Sequence, residues 1–303
     1  MTISRVKLTD AGLELSRLAY GLWRLAEWEM DTAAVRQRIQ LCLEQGVTTF
    51  DHADIYGDYT CEIIFGKALQ EDPSLRDQME LVTKCGIKLI SPNRPDHRVK
   101  HYDTSTEHII RSAENSLKNL HTDHIDLLLI HRPDPLMNAD EVAAAFESLK
   151  KAGKVLHFGV SNFTTHQLRL LQSRLDFPLA TNQVELSVMQ FDVLHDGTVD
   201  YCQQMRIAPM AWSPYGGGDL FTSDSEKARR VRETLQEIGE ATGGATPDQV
   251  ALAWILAHPA NIIPIIGTGK RNRLLSALQS EAVELSREDW FRIWSASTGT
   301  DIP

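Results

Sequence analysis

Short apolar runs recur along the chain and alternate with segments of helical periodicity. They lack a clean alternation of apolar and polar positions, which is typical of parallel strands covered by helices on both faces. Eight such runs occur, at residues 18–20, 47–50, 80–82, 125–130, 155–160, 180–184, 208–212 and 262–266. The pattern therefore predicts an α/β fold, an eight-stranded parallel (β/α)8 or TIM barrel, with an open doubly wound sheet as the alternative.

Helix start signals lie between these runs. Three threonines precede a Glu or Gln by three positions, the spacing of a capping box, in which side chains satisfy free N–H groups of the first turn. The pairs are Thr104 and Glu107, Thr164 and Gln167, and Thr246 and Gln249. A helix over residues 31–45 is expected to stop at Gly46. Residues 6–8 and 13–15 flank Asp10-Ala11-Gly12 and predict a β-hairpin before the first barrel strand.

Three connections are long, at residues 22–30, 86–103 and 213–227. Long loops at the catalytic face of a barrel usually shape or cover a pocket. Residues 286–303 predict a final helix and tail in which Trp290 and Trp294 dock on the barrel. Since no repeat, low-complexity tract or linker divides the chain, a single domain over residues 1–303 is expected.

Length and charge exclude several classes of protein. The chain has 303 residues, about the usual size of one barrel, and a net charge of -10. A diffusely acidic chain argues against nucleic-acid binding, which needs a basic face for the phosphates. No run of 18 apolar residues is present, so no membrane span is expected, and the first ten residues show no secretion signal.

The four cysteines match no zinc module and form no CxxC pair. Reduced thiols in a cytoplasmic protein are the expected state. Cys85 follows Lys84 directly, so its thiol is either somewhat activated by the ammonium or a plain part of the barrel wall.

Four polar residues of different types fall at or just past the ends of three predicted strands. They are Asp51 and Tyr56 in FDHADIYG, Lys84 in ELVTKCG and His131 in DLLLIHRPD. Residues at the C-terminal ends of barrel strands face one another across a single mouth, so we expect these side chains to meet. A phenol, an ammonium, a carboxylate and an imidazole around one point suit proton transfer to or from an oxygen.

Tyr56 is the candidate proton donor, because a phenol titrates near about 10 and keeps its proton at neutral pH. Lys84 beside it is expected to lower that pKa, with Asp51 pairing the lysine. His131 can hydrogen-bond to a substrate oxygen and orient it. Together they describe a proton donor aimed at a carbonyl oxygen.

Reduction of a carbonyl also needs hydride, which no side chain supplies, so a cofactor is required. Several residues at later strand ends could hold a nicotinamide cofactor. Ser161, Asn162 and Gln183 could grip its carboxamide, Trp212 could stack on its ring, and Gly216, Gly217 and Gly218 allow backbone to approach a pyrophosphate. The alternative for the glycine run is a flexible loop.

The segment GTGKRNR, residues 267–273, follows the eighth run and opens a helix. A helix N-terminus with Lys270, Arg271 and Arg273 is a good anion site and suits the 2′-phosphate of NADP, where a carboxylate would be expected for NAD. A solvated basic loop is the alternative. Since no GxGxxG follows the first strand, a Rossmann domain is not supported.

These motifs resemble the aldo-keto reductase family, in wording closest to its bacterial members. DHADIYG resembles the family's Asp-Thr-Ala-x-x-Tyr-Gly signature, and LLLIHRPD, KAGKVLHFGVSNF, TNQVE, AWSPYGGG and IIGTGK continue the match in order. The resemblance covers nearly the whole chain and implies an eight-stranded barrel that reduces aldehydes and ketones with NAD(P)H.

The resemblance also implies roles for individual residues. It makes Tyr56 the proton donor, with Asp51, Lys84 and His131 as its partners. It assigns cofactor contacts to a set of strand-end and loop residues: Gly21, Ser161, Asn162, Gln183, Trp212, Ser213, Tyr215, Gly216, Gly217, Gly218, Thr268, Lys270 and Arg273. The expected cofactor is therefore NADP(H), the expected partner a small-molecule carbonyl substrate, and no metal is expected.

Three departures from the family pattern occur: His52, where Thr is usual, Trp212, where the aromatic is often Tyr, and Ser276-Ala277, where many members carry Glu-Asn near the adenine. Trp23 and Trp28 are the candidate substrate contacts, and Trp23 favours an apolar or aromatic carbonyl compound. The sequence leaves the substrate and the oligomeric state open.

Two other functions compete with this one. His52, Asp54 and His131 could ligate zinc in a barrel hydrolase, although Lys84 would repel a metal. The chain could also be a cofactor-binding regulatory barrel of the kind that serves ion channels.

Overall fold

A computed structural model describes residues 3–8 and 12–302 of the chain. Within these ranges there are twelve strands, β1 (Arg5–Lys7), β2 (Glu14–Ser16), β3 (Ala19–Gly21), β4 (Thr49–Asp51), β5 (Glu80–Cys85), β6 (Ile87–Lys88), β7 (His101–Tyr102), β8 (Ile125–Ile130), β9 (Val155–Ser161), β10 (Asn182–Glu185), β11 (Met210–Trp212) and β12 (Ile263–Ile266).

The helices of the same ranges are α1 (Thr32–Glu44), α2 (Tyr56–Tyr59), α3 (Cys61–Glu71), α4 (Thr106–Leu120), α5 (Ala139–Lys151), α6 (Thr165–Gln172), α7 (Thr198–Met205), α8 (Asp219–Thr222), α9 (Glu226–Ala241), α10 (Pro247–Leu256), α11 (Arg271–Leu278) and α12 (Arg287–Thr298). Short 3-10 turns lie at Leu25–Trp28, Pro73–Gln78, Asp192–Leu194, Gly216–Gly218 and Gln279–Ala282.

Of the described strands, eight close a parallel barrel in the order β3-β4-β5-β8-β9-β10-β11-β12. Parallel neighbours need a crossover connection, and helices supply it here. The predicted barrel is therefore confirmed, and the open doubly wound sheet is wrong. The chain divides into two compact units, Met1–Gln183 and Val184–Pro303. A single domain over residues 1–303 stays a prediction.

The N-terminal hairpin is confirmed, with its strands shifted by one residue from the predicted bounds. β1 and β2 pair antiparallel, with Val6 opposite Leu15. Residues 9–11 of the predicted turn lie outside the described residues.

β5 is longer than the run that predicted it. The apolar run ends at Val82, but the pairing of β5 with β8 continues beyond it. Thr83, Lys84 and Cys85 pair in register with residues 128–130 of β8. Lys84 therefore lies inside a barrel strand and not beyond it.

One of the three predicted capping boxes, at Thr104, is wrong. Ser105, and not Thr104, caps α4, since its hydroxyl accepts from the amide of His108 at 3.3 Å. Thr104 is buried and donates to Asp134 Oδ2 at 2.9 Å instead. The boxes at Thr164 and Thr246 are confirmed.

In the first unit, residues 86–103 carry a two-stranded hairpin, β6 with β7, that the sequence did not predict. The hairpin is anchored at its base because the amide of Asp103 donates to the carbonyl of Gly86 at 3.0 Å. Gly86 has φ +102°, a left-handed conformation that favours glycine.

In the second unit, Trp290 and Trp294 of α12 pack against neighbouring aromatic residues, as predicted. The Trp290 ring stacks on that of Trp254 in α10, with centroids 4.6 Å apart and planes at 11°. Each indole N–H donates to the other residue's carbonyl oxygen at 3.0 Å. Trp294 lies 4.5 Å from Phe191 and belongs to the same cluster.

All four cysteines are free and buried. Burial raises the pKa of the Cys42 and Cys202 thiols to about 12 and also raises that of Cys61. The pKa of Cys85 is raised well above its usual value, chiefly by burial. Cys85 is therefore part of the barrel wall and is not activated by Lys84. No helix in residues 3–8 or 12–302 is long and apolar enough to span a bilayer.

Candidate active site

Lys84 contacts two of the other candidate residues, Asp51 and Tyr56, within the first unit. Its Nζ lies 2.9 Å and 2.8 Å from the two carboxylate oxygens of Asp51 and 3.1 Å from the hydroxyl of Tyr56. It also donates to the carbonyl oxygen of His52 at 2.6 Å. Lys84 is fully buried and Asp51 is 3% exposed. A buried ammonium persists only when it is paired and hydrogen-bonded, and these contacts meet that condition.

The local backbone explains where these side chains lie. Asp51 ends β4 and Lys84 lies within the neighbouring β5. Tyr56 follows on a tight segment in which Gly57, Asp58 and Tyr59 have φ of 56°, 54° and 69°. This left-handed turn, which breaks α2 directly after its first residue, sets the position of Tyr56 beside the lysine. A Cβ at Gly57 would come within 2.7 Å of Cys61 Sγ, so only glycine fits there.

The titration of the buried phenol differs from the expectation. Burial raises the pKa of Tyr56 above 10, and this effect outweighs the charge of Lys84, which lowers it. The prediction of a net lowering is therefore wrong, because the degree of burial of Tyr56 cannot be read from a sequence. Burial alone would lower the pKa of Lys84, but the charge of Asp51 and the hydrogen bonds of Lys84 to Asp51 and Tyr56 raise it overall. Both groups thus stay protonated at neutral pH.

His131 follows β8 and stands edge-on to Tyr56, with ring centroids 5.8 Å apart and planes at 77°. Burial, with the nearby charges of Lys84 and Arg132, lowers the pKa of His131 well below its usual value. The imidazole is therefore neutral, and one ring nitrogen can donate a hydrogen bond while the other accepts. A neutral donor of this kind can orient a carbonyl oxygen without competing for the proton of Tyr56.

Ser161, Asn162 and Gln183 lie together beside these residues, still within the first unit. Ser161 Oγ donates to the carbonyl oxygen of Gln183 at 2.8 Å, and Asn162 Nδ2 donates to Ser161 Oγ at 2.7 Å. Asn162 has φ 60°, a strained conformation of the kind found at functional sites. Gln183 Nε2 donates to Asp51 Oδ1 at 2.8 Å, which links this group to the lysine pair.

The candidates of the second unit begin at Trp212, the last residue of β11, whose carbonyl accepts from the amide of Leu186 at 3.4 Å. Ser213 follows with φ 51°, and Tyr215 packs on Phe221 with ring centroids 5.5 Å apart. The three glycines at 216–218 all have positive φ, and a Cβ at Gly217 or Gly218 would meet nothing within 4 Å. Their backbone is thus open to close approach by a ligand.

Lys270 is the N-cap of α11, and its amide donates to Thr268 Oγ1 at 3.2 Å. Lys270 and Arg273 are exposed, and the first turn of α11 holds no acidic side chain. The free N–H groups of this helix end and two cations form a surface suited to a phosphate. The residues present therefore fit the phosphates of a dinucleotide.

Gly21, Trp23 and Trp28 lie at or after the end of β3. Gly21 is buried and pairs in register with Asp51. Trp23 is 56% exposed, with the guanidinium of Arg24 5.0 Å from its ring centroid. Trp28 packs against Tyr20, with ring centroids 5.9 Å apart, so only part of its surface is free for a substrate. Substrate contact by Trp23 and Trp28 stays a prediction.

Sequence reasoning missed the part that His52 plays. Its carbonyl oxygen accepts from Lys84, and its ring lies edge-on to Phe65 with centroids 4.5 Å apart. A main-chain acceptor leaves no signal in a sequence, because every residue has one. Burial, with the charge of Lys84, lowers the pKa of His52 to about 3. No group of three or more His, Cys, Asp or Glu is placed to hold a metal in the described part of the chain.

The fold and this arrangement define an enzyme class, and comparison with known proteins agrees. The model of the aldo/keto reductase family matches residues 17–297, so the chain belongs to that family and is an oxidoreductase.

Two relatives and one solved structure show how similar the chain is to other members. It is 52% identical to the uncharacterized oxidoreductase YcsN of Bacillus subtilis, covering 99% of this chain and 100% of that one. It is 45% identical to a 6-dehydroglucose reductase of Agrobacterium fabrum, with 99% and 100% covered. The thermostable aldo-keto reductase Tm1743, solved with the inhibitor epalrestat, has a TM-score of 0.81 at 28% identity and covers 97% of this chain and 100% of its own.

Proposed function

We propose that this oxidoreductase reduces an aldehyde or ketone with NADPH and that Tyr56 is the proton donor. The observation that carries the proposal is the contact of Lys84 Nζ with both Asp51, at 2.8 Å, and the Tyr56 hydroxyl, at 3.1 Å. The buried ammonium fixes the position of the phenol and offsets part of the unfavourable effect of burial on the phenolate, which forms at the moment of proton transfer.

Each residue then has a distinct part in the reaction. A bound nicotinamide cofactor would supply the hydride that the carbonyl carbon accepts. Neutral His131 donates a hydrogen bond to the carbonyl oxygen and holds it toward Tyr56. As negative charge grows on that oxygen, Tyr56 gives up its proton, and the charge of Lys84 stabilises the phenolate that remains. Asp51 keeps the ammonium in place throughout.

The same proposal assigns the cofactor contacts. Ser161, Asn162 and Gln183 offer hydroxyl and amide groups to the carboxamide. Trp212 offers a stacking face to the nicotinamide ring. The backbone of residues 213–218 is open to the pyrophosphate. Thr268, Lys270 and Arg273 offer a site for the 2′-phosphate. Gly21, the last residue of β3, would also contact the cofactor. The preference for NADPH rests on Lys270 and Arg273, because cations bind a doubly charged phosphate better than a hydroxyl.

For the substrate we propose a hydroxylated aldehyde of sugar size. The support is the 45% identity over nearly full length to a protein named 6-dehydroglucose reductase. His131, whose ring centroid lies 5.8 Å from that of Tyr56, offers a polar contact to a substrate with hydroxyl groups. The apolar or aromatic compound expected from Trp23 is the competing substrate class. A cytoplasmic location stays a prediction from the reduced thiols.

The deciding experiment measures NADPH and NADH oxidation by the purified chain with 6-dehydroglucose, glyceraldehyde and benzaldehyde. We expect the two hydroxylated aldehydes to have the higher kcat/KM and NADPH to be the better cofactor. Higher kcat/KM for benzaldehyde would favour the apolar substrate class. Tight NADPH binding with no turnover on any of the three would favour the cofactor-binding regulatory barrel instead.

A further inference from the structure

The backbone directly after Tyr56 is strained. Gly57, Asp58 and Tyr59 are left-handed in succession, and two of the three carry side chains, for which this conformation is unfavourable. Such a turn persists only when the structure around it holds it in place. The contacts that hold the turn therefore also fix the position of the phenol that precedes it.

Hydrogen bonds inside the turn supply part of this support. Thr60 Oγ1 donates to the carbonyl oxygen of Gly57, and the amide of Thr60 donates to the carbonyl oxygen of Tyr56 at 3.1 Å. These bonds close the turn at its two ends. They do not involve the carbonyl of Asp58 or the side chain of Tyr59, and both of these groups have partners elsewhere in the first unit.

Those two groups are held by residues of the connection that follows β6. Asn93 Nδ2 donates to the carbonyl oxygen of Asp58 at 2.9 Å, and the amide of Leu89 donates to the hydroxyl of Tyr59 at 2.8 Å. The guanidinium of Arg94 lies 4.3 Å from the centroid of the Tyr59 ring, a cation–π distance. Three contacts from one connection thus fall on two consecutive left-handed residues.

The loop that supplies these contacts, residues 89–97, is closed by its own hydrogen bonds. The amide of Arg94 donates to the carbonyl oxygen of Ser91 at 2.9 Å, and the amide of His97 donates to that of Arg94 at 3.0 Å. His97 Nδ1 lies 2.9 Å from the carbonyl oxygen of Leu89, at the start of the loop. The loop therefore has a defined shape of its own against which the strained turn is held.

The position of Tyr56 matters because its hydroxyl lies 3.1 Å from Lys84 Nζ. Asp51 fixes the ammonium separately, at 2.8 Å. If the turn relaxed, the phenol would move while the lysine stayed in place, so the distance between them would increase. A displacement of about 1 Å in a reacting group can lower the rate about a hundredfold.

We propose that Asn93 and Tyr59 are positioning residues that hold the strained turn so that Tyr56 lies against Lys84, a role that rests on the proposed function of Tyr56 as proton donor. They act through the main chain of the turn and take no part in the transfer of the proton. Arg94 supports them through the Tyr59 ring.

Two variants remove these contacts one at a time. Asn93→Ala removes the donor to Asp58, and Tyr59→Phe removes the acceptor of the Leu89 amide but keeps the ring. With glyceraldehyde or benzaldehyde, whichever is reduced faster, each should lower the single-turnover rate by about ten- to a hundredfold. KM and the dissociation constant of NADPH should stay unchanged. Asn93→Gln keeps an amide donor and should recover part of the loss.

The matched control is Asn115→Ala, the same chemical change at an exposed position on α4, and it should behave as wild type. Asn93 is also exposed, so its replacement should leave the chain folded. Melting temperatures of all variants confirm that the rates are those of folded protein.

A solvent isotope effect separates positioning from a purely structural role. If the turn positions the proton donor, proton transfer becomes slower relative to hydride transfer in Asn93→Ala and Tyr59→Phe. The solvent deuterium isotope effect on the single-turnover rate should then rise above that of the wild type. A lower rate with an unchanged isotope effect would contradict the positioning role.

The Tyr56→Phe background separates this inference from the proposed reaction. Without the hydroxyl there is no donor to position, so adding Asn93→Ala should leave the residual rate unchanged. Wild-type rates in Asn93→Ala and Tyr59→Phe, or an equal loss with and without the Tyr56 hydroxyl, would overturn the positioning role. Wild-type turnover in Tyr56→Phe itself would instead overturn the proposed reaction.

Discussion

Gln183 Nε2 donates a hydrogen bond to Asp51 Oδ1 at 2.8 Å, although 132 positions separate the two residues. The carboxylate that pairs Lys84 is thus held from a second side by a residue proposed for cofactor contact. The side chain of Gln183, which is proposed to contact the cofactor, is therefore linked through Asp51 and Lys84 to Tyr56, the proposed proton donor.

Gln183→Leu removes that donor while keeping the size of the side chain. We expect the free energy of unfolding to fall by about 1.5–3 kcal/mol, the usual effect of losing a hydrogen bond to a charged group. Affinity for NADPH should fall as well. Thermal melts and fluorescence titration with NADPH measure the two effects. Wild-type values in both would show that the contact contributes nothing.

Tyr56→Phe should lower the turnover of carbonyl reduction by about a hundred- to ten-thousand-fold, because general acid catalysis contributes that much. Affinity for NADPH should stay nearly unchanged, since the hydroxyl is not proposed to touch the cofactor. Single-turnover rates and NADPH titrations check both. Normal turnover with chemistry rate-limiting would remove the role assigned to Tyr56.

Lys84→Met should be nearly inactive yet folded, because Met keeps the length of the side chain but not its charge. Asp51 is then a buried carboxylate without its ammonium, which is unfavourable by about 3–5 kcal/mol unless it takes up a proton. Adding Asp51→Asn should recover part of the lost stability without restoring activity. Melting temperatures and NADPH-oxidation rates of both variants test this, and a double variant no more stable than the single one would contradict it.

Lys270→Ala with Arg273→Ala should reduce the preference for NADPH over NADH by one to two orders of magnitude, since charge-assisted hydrogen bonds contribute about 1.5–3 kcal/mol. Dissociation constants for both cofactors measure the preference. Arg287→Ala, an exposed arginine in the first turn of α12, is a control for loss of surface charge. A preference that survives in the double variant would place the 2′-phosphate elsewhere.

His52 makes the fold sensitive to acid. Its pKa is about 3 in the folded chain and about 6.5 in the unfolded chain. Below 6.5 only the unfolded chain binds the proton, so this contribution to stability is fully present above pH 6.5 and is lost as pH falls toward 3. The loss is about 1.4 kcal/mol per pH unit.

His52→Gln does not titrate, so its stability should fall less steeply between pH 6.5 and 4 than that of the wild type. Denaturant melts across this range compare the slopes. Buried His131 and His108 titrate in both proteins, so the difference between the slopes isolates His52. Parallel slopes would show that the pKa of His52 is not lowered in the folded chain.

Much of the candidate site follows from position in the sequence. Asp51, Lys84 and His131 could be grouped in advance because each lies at a strand end of a regular barrel, where neighbouring strands present their ends side by side. The Gln183 contact could not be foreseen, since it depends on side-chain rotamers at positions far apart in the chain. The direction of the pKa shift of Tyr56 also could not be predicted, because it depends on whether the effect of burial on the pKa exceeds that of the charge of Lys84.

The order of the barrel strands could also be predicted from the sequence, but the exact bounds of some elements could not. Apolar runs located all eight barrel strands, but they ended β5 too early, because the polar Thr83 and Lys84 continue its ladder. The capping spacing at Thr104 was misleading because Ser105, one position later, has the geometry to accept from the helix. The β6 and β7 hairpin has only two residues in each strand, too few for a periodic pattern to reveal it.

The buried thiols offer a way to watch the chain open. Cys42, Cys61 and Cys85 lie in the first compact unit and Cys202 in the second, and all four are at most 1% exposed. A thiol reagent can reach them only when the surrounding structure opens, so each labelling rate reports the opening of its own unit. One common rate for the four would mean that the two units open together, and a separate rate for Cys202 would mean that Val184–Pro303 opens by itself.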